Sequence, residues 1–215
     1  MSAFVSLITR DVRRALTGGG AALPVVFFLL VATLYPFGVG PDGALLGKTG
    51  GGVLWIAALL ASLLPIDRLI GPDADSGVLD QLAVREISDE AIAAAKIVSH
   101  WLTFGPSLML AAIPAAGLLR LEGTVLARVE AGLLLGTPGL AALSVMIAAL
   151  TAGLRSSAAL GGLLLLPLAV PLLIFGAGSL DPAGGSAFKL LAAVSLLLLA
   201  LGPFVAGAAI RALRS

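Results

Sequence analysis

His100 is the only histidine in this chain of 215 residues. Lys96 precedes it by one helical turn, and Trp101 follows it directly near the start of a long uncharged stretch. Ionisable groups at membrane depth often serve function, and imidazole is a natural axial ligand of haem iron. A lone histidine beside an interfacial tryptophan is more often a belt residue that bonds a neighbouring carbonyl. His100 and Trp101 are therefore candidate haem contacts, with a purely structural role as the alternative.

The rest of the chain lacks the residue pairs that common enzyme and metal sites require. It has no cysteine for a thiolate site and no second histidine for a metal pair or for activation of a serine. Gly47, Lys48 and Thr49 resemble the end of a phosphate-binding loop, but position 42 is Asp42 where that motif needs glycine. We expect no metal site, no ATP binding by this chain and no catalytic centre. An intramembrane enzyme stays open as an alternative.

Six long stretches without charged residues must position these side chains. Each approaches or exceeds the roughly 18 to 20 residues that a helix needs to cross a hydrocarbon core about 30 Å thick. With 59% hydrophobic and 12% charged residues, the chain has too little polar surface for a water-soluble globule. We predict an all-α integral membrane protein, a single transmembrane domain over residues 1–215. The predicted spans lie near residues 21–40, 49–66, 97–119, 131–154, 156–178 and 190–210.

Small and aromatic residues indicate how these spans pack. Gly132 and Gly136 form a GxxxG pattern in the fourth span, which permits close helix approach. Trp55 is expected to anchor its span at the membrane interface, as aromatic side chains at span ends usually do.

The distribution of Lys and Arg predicts that both termini lie in the cytoplasm. Cytoplasmic segments of membrane proteins carry an excess of these residues. With the N-terminus inside, four basic residues fall in outside loops: Lys48, Arg120, Arg128 and Lys189. The other basic residues fall inside: Arg10, Arg13, Arg14, Arg68, Arg85, Lys96, Arg155, Arg211 and Arg214. The net charge of +1 gives no reason to expect nucleic acid as a partner.

Residues 1–17 show helical periodicity, with apolar side chains on one side and three arginines on the other. This pattern predicts an interfacial elbow helix that lies in the headgroup plane and turns its basic face to anionic membrane lipid, with an ordinary cytoplasmic lead-in as the alternative.

Residues 67–96, which we call the coupling segment, form the longest hydrophilic connection and carry seven of the twelve acidic residues. Gly71, Pro72 and Asp73 are typical of a turn, and an apolar stripe after Gly77 predicts a short amphipathic helix. Ser88 is a favourable N-cap for the third spanning helix. We expect this segment to bind a protein partner, with a solvated loop as the alternative.

Three segments are distinctive: YPFGVGP at 35–41, DSGVLDQL at 75–82 and KIVSHW at 96–101. With them, the chain resembles the permease subunit of ABC-2-type transporters, and more narrowly the CcmB family of haem exporter permeases in cytochrome c maturation. The resemblance covers essentially the whole chain and implies a subunit of the bacterial inner membrane. It also implies a homodimer of this subunit that works with the ATPase CcmA alongside CcmC and CcmD, and indirectly with the haem chaperone CcmE.

This resemblance implies that ATP hydrolysis on the partner drives haem export or release of the haem-loaded chaperone, with the release or coupling role preferred. Haem is then a handled ligand and not a resident cofactor. Gly77 would supply a turn, Leu79 and Leu82 the docked face, and carboxylates the orientation. The implied coupling residues are Asp73, Asp75, Gly77, Leu79, Gln81 and Leu82. An ABC-2 permease for a lipid, drug or glycan is the alternative.

Overall fold

A computed structural model of the protein describes residues 3–154 and 157–214, and these residues form helices and connecting turns without strands. The helices are α1 Ala3–Thr17, α2 Ala22–Val39, α3 Gly43–Leu63, α4 Ile66–Leu69, α5 Gly71–Asp75, α6 Val78–Val84, α7 Asp89–Leu118, α8 Gly123–Thr151, α9 Ser157–Gly178 and α10 Gly185–Leu213. The first two residues of the predicted elbow helix, Arg155 and the first residue of the fifth predicted span lie outside the described residues.

Six of the described helices are long and apolar enough to cross a membrane: α2, α3, α7, α8, α9 and α10. This confirms the prediction of an all-α protein with six spans, and the chain is a multi-pass membrane protein. Helix α7 has 30 residues, about 45 Å at 1.5 Å per residue, so it extends beyond a hydrocarbon core about 30 Å thick. It begins where the sequence predicts, because the Ser88 side chain accepts a hydrogen bond from the Ala91 amide at 3.3 Å.

The short helices gather at one end of the bundle, which we call the coupling end. There, helices α1, α5 and α6 meet the start of α7 and the end of α10, and α4 packs against α8 and α9. The turns α2–α3, α7–α8 and α9–α10 form the opposite end. At that end Arg128 of α8 donates hydrogen bonds to carbonyl oxygens of Ser179, Asp181 and Pro182, which fixes the α9–α10 turn.

Trp55 of α3 fills the centre of the bundle and is almost completely buried. Its ring lies on Gly132 and Gly136 of α8 and on Gly176 of α9. A Cβ atom added at these glycines would come within 2.9, 2.6 and 2.5 Å of ring atoms. The expected interfacial anchor role of Trp55 is therefore wrong, because the GxxxG surface leaves a recess that an indole ring from another helix occupies.

Candidate coupling site

The coupling segment folds into three short helices that pack onto the bundle. Gly77 caps α6 with φ of 69°, a left-handed conformation that favours glycine, so the turn expected at Gly77 and the amphipathic helix are present. Gly71, Pro72 and Asp73, which were expected to form a turn, begin the short helix α5. Leu79 and Leu82 are only 1% and 8% exposed and belong to the buried core. Their expected role as a docked face therefore needs correction. This chain already covers the apolar stripe of α6. Removing the two leucine side chains from water stabilises that packing.

The opposite side of α6 is exposed and forms what we call the coupling face: Asp75, Asp80, Gln81, Val84 and Glu86. The family resemblance implies Asp75 and Gln81 as coupling residues, and both are exposed, so a partner could contact them. Val84 was not predicted as a coupling residue, although its apolar side chain off the α6 stripe is visible in the sequence. It is 85% exposed, one turn after Asp80 and Gln81. Its position beside Asp80 and Gln81 makes it part of the coupling face, although a single exposed apolar side chain is common on protein surfaces.

Asp73 of α5 is buried and does not belong to the coupling face. Its carboxylate accepts hydrogen bonds from Arg10 at 2.6 Å and Arg14 at 3.1 Å, both on α1, and from Lys96 of α7. Lys96 also pairs with Asp11 at 3.0 Å. These five residues, which we call the elbow cluster, join α1, α5 and α7. The predicted basic face of α1 thus meets a carboxylate of its own chain through Arg10 and Arg14.

Asp73 and Arg10 of the elbow cluster keep their charges at neutral pH. Burial raises the pKa of the Asp73 carboxyl, but Lys96 and Arg10 lower it by more, so this pKa lies below its ordinary value of 3.8. Burial lowers the pKa of Arg10, whereas Asp11 and Asp73 raise it by more, and the net shift is upward. Asp73 therefore remains ionised and fixes α5 to two other helices, which explains why it is buried in a segment rich in exposed acids.

A second cluster attaches the coupling segment to the C-terminus. Arg214 donates to both carboxylate oxygens of Asp89 at 2.6 and 2.8 Å and to the Leu79 carbonyl at 3.3 Å. Arg211 pairs with Asp89 at 3.3 Å and with Glu90 at 2.6 Å. We call these residues the C-terminal cluster. The last turn of α10 is thereby joined to the backbone of α6 and to the start of α7.

His100 and Trp101 lie on α7 in different surroundings. Trp101 donates a hydrogen bond to Thr137 of α8 at 3.1 Å and so contributes to helix packing. His100 is 5% exposed and stacks on Phe104, with ring centroids 5.3 Å apart. Its Nε2 atom has no hydrogen-bond partner among the residues that the structure describes. The two neighbours in sequence therefore do not form one site.

His100 lines a cavity of about 210 Å³ between α1, the start of α2, residues 65–72 and α7, which we call the elbow cavity. Pockets that enclose small molecules usually measure about 300 to 1,000 Å³. The elbow cavity is smaller, so it does not enclose a porphyrin. Within the described ranges, no group of histidine and carboxylate side chains could hold a metal ion.

Comparison with known proteins identifies the family of this chain. A family model described as CcmB protein matches residues 2–213. The chain belongs to the CcmB family. Curated CcmB relatives carry the name heme exporter protein B. Those of Rhodobacter capsulatus and Paracoccus denitrificans are each 45% identical, over 96% of this chain and 97% of the relative. The Escherichia coli K12 relative is 37% identical over 88% of this chain and 89% of its own length.

The CcmB resemblance predicted from short segments is therefore confirmed over nearly the whole chain. What those segments could not indicate was the pair of ion clusters. Arg10 and Arg14 are one turn apart on α1, as expected for two cations that reach one acceptor. That spacing is a signal in the sequence, but nothing in it says whether the acceptor is a lipid phosphate or Asp73.

Proposed function

We propose that this chain is the membrane permease subunit of a haem exporter complex for cytochrome c maturation. On this proposal it couples ATP hydrolysis by a separate ATPase, CcmA, to haem export or to release of the haem-loaded chaperone CcmE. The family match and the name of the relatives, heme exporter protein B, support this assignment. The observation that carries the coupling role is the arrangement of α6, which is bound to the bundle on one side and free on the other.

The two ion clusters offer a route by which a displacement of the coupling segment reaches the spans. The elbow cluster joins α5 to α1 and α7, and the C-terminal cluster joins α6 to α7 and α10. Asp73 and Lys96 are buried charges that cannot be pulled apart cheaply, so a movement of α5 carries α7 with it. Helix α6 is joined to the end of α10 by the hydrogen bond from Arg214 to the Leu79 carbonyl. Closure of two ATPase subunits would then tilt the two copies of this chain in a homodimer.

The size of the elbow cavity and the engagement of Trp101 with Thr137 favour release or coupling over passage of haem through this chain. Haem would then be held elsewhere in a complex with CcmC and CcmD. The proposal places the coupling end in the cytosol and the chain in the bacterial inner membrane. The excess of basic residues at that end supports this orientation.

Substitutions that reverse or introduce a charge on the coupling face test the proposal. Asp80→Lys and Val84→Asp alter exposed side chains, so the chain should insert and fold as before. Co-purification of the ATPase with the membrane subunit should fall at least ten-fold, as expected for loss of more than about 1.4 kcal/mol of binding free energy. Cytochrome c maturation in cells should fall with it.

Glu122→Lys is the matched control, because Glu122 is an exposed carboxylate at the opposite end of the bundle. This variant should retain the ATPase. Full retention of the ATPase by both coupling-face variants would contradict the proposed contact. If the control variant also loses the ATPase, misfolding or a nonspecific effect of charge explains the loss.

A further inference from the structure

The elbow cavity has features that neither helix packing nor the proposed coupling role explains. It lies beneath α1 at the coupling end. Its wall on α7 comes from side chains spaced three or four residues apart, namely Lys96, Ser99, His100, Thr103 and Phe104. This spacing places all five on one face of the helix. The cavity is therefore a recess between the elbow helix and the bundle. An interfacial helix is expected to lie among the lipid headgroups.

The charged groups that line this recess are mostly cationic. Asp11 and Arg14 come from α1, Arg68 from α4 and Lys96 from α7. Lys96 is neutralised by ion pairs with Asp11 and Asp73, and Arg14 also forms an ion pair with Asp73. Arg68 is exposed and forms no ion pair within residues 3–154 and 157–214. An excess of positive charge therefore remains at the mouth of the cavity.

His100 adds a polar group that needs a partner. Buried polar atoms almost always form a hydrogen bond, yet its Nε2 atom has none in the described part of the chain. The imidazole is held in place by its stack on Phe104. With its proton on Nε2, this ring can donate a hydrogen bond to an anionic oxygen in the cavity.

Apart from the hydroxyls of Ser99 and Thr103, the remaining walls are largely apolar and include Pro24, Leu69 and Phe104. A ligand that suits the cavity therefore combines an anionic head with an apolar body. The volume of about 210 Å³ accommodates a head but not a whole ligand, so the apolar part must continue outside, along the helices. Basic pockets between membrane helices on the cytoplasmic side are known to hold the heads of anionic lipids.

We propose that the elbow cavity binds the phosphate head of an anionic membrane lipid. Arg68 and Arg14 attract the phosphate at the cavity mouth, and His100 donates to one of its oxygens. The acyl chains lie against the outer surface of α1 and α2. The bound lipid fixes the elbow helix to α7 and attaches the coupling end to the membrane. This inference does not depend on the identity of the transported or released molecule.

The test is native mass spectrometry of the full chain in detergent, titrated with phosphatidylglycerol. The wild-type chain should retain one lipid. Arg68→Gln should weaken its binding about five-fold, the effect of removing one cation near a lipid surface. Arg85→Gln is the matched control, because Arg85 is exposed on the coupling segment but does not line the cavity, and this variant should bind as the wild type does.

A second pair of variants tests the role of His100. His100→Phe keeps a ring but removes the donor and should weaken lipid binding about ten-fold. His100→Gln keeps an amide N–H and should retain most of the binding. If the phenylalanine variant fails to fold, the comparison of Arg68→Gln with Arg85→Gln decides the question.

Further probe molecules distinguish an anionic lipid from other ligands of the cavity. Phosphatidylcholine, which has a phosphate but no net charge, should bind more weakly than phosphatidylglycerol. Equal binding of the two lipids, or an equal loss in Arg68→Gln and Arg85→Gln, would overturn the proposal. Inorganic phosphate that binds as tightly as the lipid would assign the cavity to a soluble anion. Haemin that displaces the lipid and shows a Soret band dependent on His100 would assign it to haem.

Discussion

Asp73 is a buried carboxylate of the coupling segment that joins three helices. It is buried against Lys96 and the two arginines of α1. Removal of one partner from a buried ion pair leaves an uncompensated charge, which costs about 3 to 5 kcal/mol. We therefore expect Asp73→Asn to lower the free energy of unfolding by about 3 kcal/mol. Thermal unfolding of the purified chain in detergent, followed by tryptophan fluorescence, measures this change.

Asp75 provides the control for this substitution, because it is exposed two residues later in the same segment. Asp75→Asn should change the free energy of unfolding by less than about 0.5 kcal/mol. Similar stability of the two variants would show that the elbow cluster does not stabilise the fold.

The stabilisation from Asp73 should also depend on pH. The pKa of this carboxyl is lowered in the folded chain below the ordinary 3.8, so its contribution is present above pH 3.8 and is lost as pH falls through the folded pKa. The stability difference between wild type and Asp73→Asn should stay constant from about pH 8 to about pH 5 and shrink below pH 3.8. Thermal midpoints of both proteins across this range test the expectation. A difference already lost near pH 6 would contradict the direction of the shift.

At the residue scale, local signals were read correctly from the sequence and long-range partners were not. Ser88 caps α7 as predicted, because a hydroxyl followed by two carboxylates acts within one turn. Leu79 and Leu82 form the predicted stripe, but the stripe alone cannot tell whether the chain or a partner covers it. Asp73 was misplaced for the same reason, since its partners lie up to 63 residues away in sequence.

At the scale of helices, the contact of Trp55 with three glycines decides how α3, α8 and α9 pack. Gly136→Ala would place a Cβ 2.6 Å from the indole ring, and overpacking of this kind costs about 1 to 3 kcal/mol. We expect this variant to unfold at a lower temperature and to change the fluorescence of Trp55.

Gly52→Ala is a suitable comparison because its new Cβ would meet no atom within 4 Å. Alanine also favours the helical backbone over glycine by about 0.5 to 1 kcal/mol, so this variant should be as stable as the wild type or slightly more stable. A destabilisation equal to that of Gly136→Ala would mean that the glycines matter for a reason other than the indole contact.

The existence of the six spanning helices followed from the sequence, because uncharged stretches of sufficient length have few other solutions in a lipid environment. Their ends were less predictable. Helices α7, α8 and α10 continue past the uncharged stretches, since charged residues such as Asp89 and Arg211 extend a helix into water without breaking it. The packing of Trp55 could not be predicted, because the glycines that receive it lie on two other helices.

For the whole molecule, the central feature is that the coupling segment, the elbow helix and the C-terminus share one end of the bundle. Six spans place both termini on the same side, and we propose from the distribution of basic residues that this side is the cytoplasm. The proposal of an ATPase partner depends on this orientation, because ATP is available on the cytoplasmic side alone.

Cysteine labelling in cells tests this orientation most directly, and the chain has no native cysteine that would interfere. Ser76→Cys introduces an exposed thiol in the coupling segment, and Glu122→Cys introduces one at the opposite end. With a membrane-impermeant maleimide, we predict that intact spheroplasts label the cysteine at position 122 and that position 76 reacts only after the membrane is permeabilised. Labelling of position 76 in intact spheroplasts, with position 122 protected, would contradict the account.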